Sequence, residues 1–164
     1  MITSFIRKCD DDKLNGLVVS ESDKLILILK EIDFQFDGYQ IVRKSDIRRR
    51  FISDSNEYCA KLMKAEGLWK VNHPNWVKKL KLDNWHSLFL GMKGKIVIVK
   101  NENLEGGFYI GPILDLTNIS VTIHWFDALG NHGEPDIIKL SKITSCIFLD
   151  RYSTIHSKYL KTSE

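Results

Sequence analysis

The residues best suited to chemistry in this chain are cations that follow a strand-like run. The stretch DGYQIVRKSDIRRRF, residues 37–51, carries five basic side chains: Arg43, Lys44, Arg48, Arg49 and Arg50. Basic side chains beside an aromatic ring are typical of proteins that bind single-stranded nucleic acid, because the cations contact phosphates and the ring stacks on a base. The candidate nucleic-acid site is therefore the set Tyr39, Arg43, Lys44, Arg48 and Arg50.

The same arginines also fit a purely structural role. In a strand, Arg48 and Arg50 lie on one face and Arg49 lies on the other. Charged side chains on an edge strand keep that strand from pairing with other chains. Phosphate binding and a solvated strand edge both stay open, and charge clusters are more often only surface.

A second group of aromatic and basic side chains occupies the segment 68–92. Its members are Trp69, Lys70, His73, Trp76, Lys78, Lys79, Lys81 and Trp85. Such interleaving also suits a single-strand binder, but tryptophans in a soluble domain usually pack in the core. We expect packing, with Trp85, Leu88 and Phe89 closing a junction between two modules.

One hairpin collects side chains that can bind a metal. They are His124, Asp127, His132, Glu134 and Asp136. Two histidines and a carboxylate are a known ligand set, but no motif fixes their geometry and a polar turn is the commoner explanation. No metal site and no cofactor is predicted.

Signatures of catalysis are missing from the sequence. It contains no nucleophile elbow, no phosphate loop with its lysine and no Cys–His signature. The adjacent carboxylates Asp10, Asp11 and Asp12 repel one another, so we interpret them as a solvated turn and not as a catalytic pair. The prediction is that the protein is not an enzyme.

Composition indicates a folded protein of the cytoplasm. The 164 residues are 43% hydrophobic and 27% charged, with a net charge of +3, so a nucleic-acid site must be a local patch. The longest apolar run, residues 25–29, is too short for a membrane span. Arg7 and Lys8 lie where a signal peptide would need its apolar stretch, so no signal peptide is predicted. Three widely spaced cysteines argue against disulfides and structural zinc.

Two segments of the chain share one pattern. GLVVSESDKLILILKEIDFQFDGYQIVRKSDI begins at Gly16, and GPILDLTNISVTIHWFDALGNHGEPDIIKLSKI begins at Gly111. Each is preceded by a strand and indicates four further short strands, of which the last two are joined by almost no loop. Five short antiparallel strands in so few residues favour a small, strongly bent barrel.

The predicted organisation is mainly β, with two small five-stranded antiparallel barrels, each followed by a short helix. The first barrel and its helix occupy residues 1–67, a connector with a short helix occupies 68–92, and the second barrel and C-terminal helix occupy 93–164. The first helix is predicted to begin at Asp54 with Glu57 completing its cap, to bury Tyr58, Leu62 and Ala65, and to end before Gly67.

The C-terminal helix is predicted to lay Tyr152, Ile155 and Tyr159 on its barrel. The run Leu25 to Leu29 is apolar on both faces, as expected for a strand covered on both sides.

The segments GLVVSESDKLILIL and YQIVRKSDIRRR together resemble the Sm-like barrels, and the whole chain resembles an uncharacterised bacterial group that pairs two of them. The resemblance covers roughly residues 1–66 and 93–160. Sm-like proteins contact RNA bases through the turn between their second and third strands and the basic turn between their fourth and fifth. Those turns are Ser20 to Asp23 and Arg43 to Asp46 here, and the second is basic but lacks the family's glycine.

The resemblance implies a non-enzymatic binding module for RNA or single-stranded nucleic acid. The alternative is a protein-interaction or structural module that binds no nucleic acid. The two differ in their response to salt, because phosphate contacts release counterions whereas an apolar patch or a strand edge tolerates salt.

Overall fold

The chain is described by a computed structural model over residues 1–9 and 12–160. Asp10 and Asp11 of the predicted acidic turn lie outside the described residues, as do residues 161–164 at the end of the predicted second module. Within the described ranges, no helix has the length and apolar character needed to cross a membrane.

The protein is mainly β, as predicted. The first half contains β1 (Thr3–Arg7), β2 (Leu14–Glu21), β3 (Leu25–Ile32), β4 (Gln35–Arg43) and β5 (Ile47–Phe51). The second half contains β6 (Ile96–Lys100), β7 (Phe108–Leu116), β8 (Ser120–Ile123), β9 (Asp136–Lys139) and β10 (Ser145–Phe148). A short 3₁₀ turn joins the last two strands of each half, at Lys44–Asp46 and at Leu140–Lys142.

The ten strands form one open antiparallel sheet in the order β5-β1-β2-β3-β4-β10-β6-β7-β8-β9. The two halves have the same internal order, and they are joined where β4 pairs with β10. At that seam Val42 lies opposite Ser145, and Tyr39 lies opposite Phe148. The prediction of two separate barrels did not include this pairing. Each half has its own strand pattern, and that pattern does not indicate that the last strand of the second half, β10, lies beside β4 of the first.

Hydrophobic packing also crosses the seam. The largest buried cluster draws on β3, β4 and all five strands of the second half, and includes Trp85, Leu88 and Phe89 of the connector. Each half adds a small cluster on the other side of the sheet. The cluster of the first half surrounds Phe5 and Ile28, and the cluster of the second half surrounds Ile98 and Phe126. The connector residues are therefore buried at the junction, as predicted.

Alternation along β3 explains how one strand serves two clusters. Leu25, Leu27 and Leu29 belong to the shared cluster, whereas Ile26 and Ile28 belong to the cluster of the first half. Successive side chains of a strand point to opposite faces, so a strand apolar at every position is buried on both. This prediction is confirmed.

Two glycines occupy corresponding places in the halves and allow strands to approach closely. A Cβ atom on Gly16 would lie 2.3 Å from the carbonyl oxygen of Leu29, and one on Gly111 would lie 2.2 Å from that of His124. Any side chain at these positions would displace the neighbouring backbone. Both glycines were the starting points of the two similar segments.

The described residues form four α-helices: α1 (Asp54–Ala65), α2 (Asn75–Lys78), α3 (Trp85–Leu90) and α4 (Arg151–His156). The predicted cap of α1 was wrong by one residue, because Ser53 is the N-cap and Asn56 completes the capping box. Gly67 follows the helix with a φ of +67°, as its predicted end requires.

The predicted buried faces of two helices were wrong. In α1 the buried residues are Asn56, Ala60 and Met63, and Tyr58 is 61% exposed, because this helix packs on the small Ile2 cluster. In the C-terminal helix Ser153 is buried. The three residues expected on its buried face, Tyr152, Ile155 and Tyr159, are all exposed.

Candidate nucleic-acid interface

Four tight turns meet on one side of the sheet and form a surface that we call the turn face. The turns are Ser22 to Lys24, Lys44–Asp46, Thr117 to Ile119 and Leu140–Lys142, and the start of α3 adjoins them. Within the first half, the backbone N–H of Lys44 donates to the carbonyl of Lys24 at 2.9 Å. In the second half, the N–H of Leu140 donates to the carbonyl of Ile119 at 2.9 Å.

Arg43 connects the turns of the two halves. Its Nη2 atom donates to the carbonyl oxygens of Leu140 at 3.1 Å and Ser141 at 2.7 Å. The connector is attached nearby, because Ser22 Oγ donates to the carbonyl oxygen of Leu82 at 2.6 Å. The turn face therefore includes both halves and the connector.

Two adjoining grooves cross the turn face. One is a cavity of about 250 Å³ beside Asp23 and Lys24, and the other is a cavity of about 400 Å³ beside Asn118 and Leu140. Both are lined by Arg43, Asn84 and Trp85. The three shared residues place the two grooves next to each other on the turn face.

The start of α3 supplies an aromatic ring and a polar cap to these grooves. Asn84 is the N-cap, and its side-chain oxygen accepts from the N–H of Ser87 at 2.8 Å. Trp85 packs against Phe89, and its Nε1–H is buried without an acceptor among residues 1–9 and 12–160. A buried indole N–H normally has a partner, so a ligand acceptor in the groove would satisfy it.

Lys24 and Arg43 line the grooves, whereas Lys44 of the turn face shares Glu21 with Arg50 of the sheet edge. Lys44 lies 3.1 Å and Arg50 also 3.1 Å from Glu21 Oε2. Hydrogen bonds from these two cations lower the pKa of the Glu21 carboxyl, so it remains an anion at neutral pH. Lys24 is exposed on the groove rim and forms no ion pair in the described part of the chain.

The predicted site residues do not converge on one place. Tyr39 is only 4% exposed, stacks on Phe148 and hydrogen-bonds His73 Nδ1 through its hydroxyl at 2.9 Å. Pairing of β4 with β10 covers the ring and leaves no exposed face on which a base could stack, so its base-stacking role stays a prediction that this structure does not favour. Arg43 lines both grooves, and Lys44 belongs to the same turn face.

Arg48 and Arg50 lie on β5, at the outer edge of the sheet. Both are exposed. Arg50 also lies 5.6 Å from the centre of the Phe5 ring, and Arg49 lies 4.6 Å from that of Phe51. The position of β5 supports the edge interpretation for these arginines.

Sequence reasoning did not assign Lys24, Asn84 and Trp85 to a common site. Trp85 was predicted only to pack between the halves. It is indeed buried, and it also lines both grooves. The four turns converge only because β4 pairs with β10, and no local signal in the sequence reveals that pairing.

The hairpin histidines are brought together without a third ligand. The rings of His124 and His132 stack with their centres 4.2 Å apart. The described residues contain no group of three or more His, Cys, Asp or Glu side chains placed to hold a metal ion.

Comparisons with known proteins give one limited similarity. No protein family and no solved structure matches the chain. A stretch of 95 residues is 33% identical to part of a probable translation initiation factor IF-2 of Methanocaldococcus jannaschii. The match covers 54% of this chain but only 8% of that protein.

Proposed function

We propose that this protein is a non-enzymatic binding module of the cytoplasm, that its halves are two Sm-like units, and that it binds RNA or other single-stranded nucleic acid on the turn face. The observation that carries the proposal is the pair of adjoining grooves that share Arg43, Asn84 and Trp85, with Lys24 and a basic turn at their rim.

The chemistry of the grooves suits an extended polyanion. Lysine and arginine side chains contact phosphates, and an aromatic side chain beside them favours bases over a simple anion. The shared strand order of the halves supports the Sm-like interpretation, because it places equivalent turns of both halves on one surface.

Fluorescence polarisation with short labelled RNA and DNA oligomers, at two salt concentrations, tests the proposal. The turn-face variant Lys24→Gln/Lys44→Gln is expected to bind more weakly than the wild type. Its plot of log affinity against log salt should be flatter by about 1.4, because each lost phosphate contact on a single strand contributes about 0.7 to the slope.

Two matched variants remove the same amount of charge elsewhere. Arg48→Gln/Arg50→Gln changes the sheet edge, and Lys61→Gln/Lys158→Gln changes exposed helical positions. Both are expected to retain the wild-type slope. If all three double variants weaken binding equally, only net charge matters and the turn face is not the site; no measurable binding by the wild type would refute the nucleic-acid function.

A protein partner is the second candidate, and the open sheet supports it. Neither β5 nor β9 has a strand neighbour on its outer side among the described residues. Ile137 on β9 is 74% exposed. Because β9 and β5 correspond in strand order to β4 and β10, which already pair, a second copy of the chain could add at these edges.

Light scattering over a range of protein concentrations tests the second candidate. Self-association by strand addition should persist at high salt and should decrease in Ile137→Lys. It should increase in Arg48→Gln/Arg50→Gln, since a less charged edge is a better template for pairing. A monomer at every concentration, in both the wild type and the edge variant, would rule out pairing between copies.

A further inference from the structure

A second polar cavity lies at the seam, lined by residues of both halves and distinct from the grooves of the turn face. Its volume is about 210 Å³. Lys30 of β3 and Gln40 of β4 line it from the first half, and Lys100 of β6 and Ile147 of β10 line it from the second. The pairing of Gln40 with Ile147 brings these strands together.

Two of the lining side chains are largely buried but keep their polar atoms accessible from the cavity. Lys30 is 9% exposed and Gln40 is 5% exposed. Neither side chain takes part in a hydrogen bond or an ion pair with any residue in the ranges 1–9 and 12–160. Because their polar atoms are not among the described side-chain atoms that are fully buried and lack a partner, both groups are available to a ligand that enters the cavity. Both groups face a cavity large enough to hold a ligand.

The charge of the lining favours an anion. Lys13 and Lys100 add two further cations, and Asn15 adds an amide. Asp12 and Glu31 are the lining carboxylates, so the three lysines leave a small excess of positive charge that favours an anion.

Several charged groups in or near the cavity also take part in contacts elsewhere. The guanidinium of Arg7, which also lines the cavity, is bound to Glu102 through two hydrogen bonds of 2.7 and 2.8 Å. Asp37 accepts from the backbone N–H of Arg151 at 2.7 Å. Asp150 caps α4 by accepting from Ser153.

Burial lowers the pKa of Lys30 below its ordinary value, and Lys100 adds to that effect while Asp150 and Asp37 oppose it. An anion in the cavity would supply the counter-charge that neither carboxylate provides at ion-pair distance.

We infer that the seam cavity binds a small phosphate group, held by the ammonium groups of Lys30 and Lys100 and by the amide of Gln40. Phosphate offers several acceptor oxygens and a double negative charge, which match several convergent donors. A ligand there would connect strands of both halves. The inference is independent of nucleic-acid binding, since the cavity shares no lining residue with the grooves of the turn face.

Isothermal titration calorimetry of the whole protein with inorganic phosphate tests this inference, with sodium chloride at equal ionic strength as the reference. Glycerol 3-phosphate is titrated in parallel. Tighter binding of the ester would indicate a phosphorylated metabolite, whereas equal or weaker binding would indicate free phosphate. In thermal unfolding, phosphate should raise the melting temperature and chloride should not, because a ligand of the native state stabilises it.

The variant Lys30→Met removes the ammonium and retains most of the stem. It is expected to weaken phosphate affinity at least tenfold, because a charge-assisted contact is lost, and to leave oligonucleotide binding unchanged. Lys100→Met, at a more accessible position, is expected to weaken phosphate binding as well and provides the test if Lys30→Met does not fold. Lys61→Met, on α1, is the control and should bind as the wild type does.

Absence of phosphate binding by the wild type would overturn the inference. It would equally be overturned if Lys30→Met and Lys100→Met bound phosphate as tightly as Lys61→Met does, because the anion would then be bound elsewhere.

Discussion

Breaking the buried ion pair across the halves should cost the protein much of its stability, and replacing Glu102 by Gln measures that cost. Arg7 is 1% exposed, and its Nη1 and Nη2 atoms donate to the two oxygens of Glu102 at 2.7 and 2.8 Å. Glu102 is further tied to the second half, because its backbone N–H donates to Thr144 Oγ1 at 3.0 Å. The substitution preserves size but leaves the guanidinium buried without this counter-charge.

Breaking a buried pair by removing one partner costs about 3–5 kcal/mol. The Glu102 side chain keeps 12% of its surface exposed, so water can partly replace it and the lower end, about 3 kcal/mol, applies. For a chain of this size that loss corresponds to a melting temperature lower by about 6–12 °C. Urea unfolding and calorimetry both measure it.

A double variant separates the cost of an unpaired charge from the value of the pair. Arg7→Met/Glu102→Met removes both charges, and replacing a buried pair by apolar residues of similar volume is often nearly neutral. It should therefore be clearly more stable than Glu102→Gln alone. If Glu102→Gln unfolds within about 0.5 kcal/mol of the wild type, the range expected for surface changes, the pair does not hold the seam.

The same pair predicts a pH dependence. Burial alone would raise the pKa of Glu102, but hydrogen bonds from Arg7 and Thr144 and the Arg7 charge outweigh it, so the pKa lies below the ordinary 4.5. A carboxyl with a depressed folded pKa stabilises the protein above its unfolded pKa, and this contribution is lost as pH falls through the folded value. The stability difference between wild type and Glu102→Gln should thus shrink below about pH 4.5.

Three further outcomes are expected. Gly16→Ala should destabilise the protein by about 1–3 kcal/mol in urea unfolding, because the added Cβ would lie 2.3 Å from the backbone of Leu29. Gly91→Ala is the control and should change stability little, because the atom nearest to its Cβ is a flexible leucine methyl at 3.3 Å. Glu21→Gln should cost less than about 1 kcal/mol, since its ion pairs are exposed. Cys146 should react with iodoacetamide only after unfolding, because complete burial raises the pKa of its thiol; fast labelling of the native protein would contradict this.

Local patterns in the sequence predicted the strands well. The double-sided burial of β3 followed from a run that is apolar at every position, and two glycines at equivalent strand positions marked where neighbouring backbones approach. These features depend on a residue and its near neighbours, so alternation and turn chemistry suffice to find them.

Helix faces were harder to predict because they depend on what each helix packs against. In α1 the cap moved by one residue, from Asp54 to Ser53, and the buried side followed the Ile2 cluster and not the most apolar stripe. Small and polar residues, Ala60 and Asn56, are buried there while Tyr58 is exposed. Helical periodicity identifies a helix but does not identify its neighbour.

The candidate site escaped sequence reasoning for a different reason, which is that it belongs to neither half. Pairing of β4 with β10 buries Tyr39 against Phe148 and thereby removes it from the predicted site. The same pairing lets Arg43 reach the carbonyls of the second half. The sequence of the first half alone gives β4 no neighbour on its outer side. An aromatic ring on such an edge strand would be free to stack on a ligand, as was predicted for Tyr39.

The seam therefore determines both proposed binding sites. It aligns the turns of the two halves into one face with shared grooves, and on the sheet it places Lys30 and Lys100, from different halves, around one cavity. The Arg7–Glu102 pair crosses the same boundary. Loosening this pair should thus weaken binding at both sites together, whereas substitutions within one site should affect that site alone.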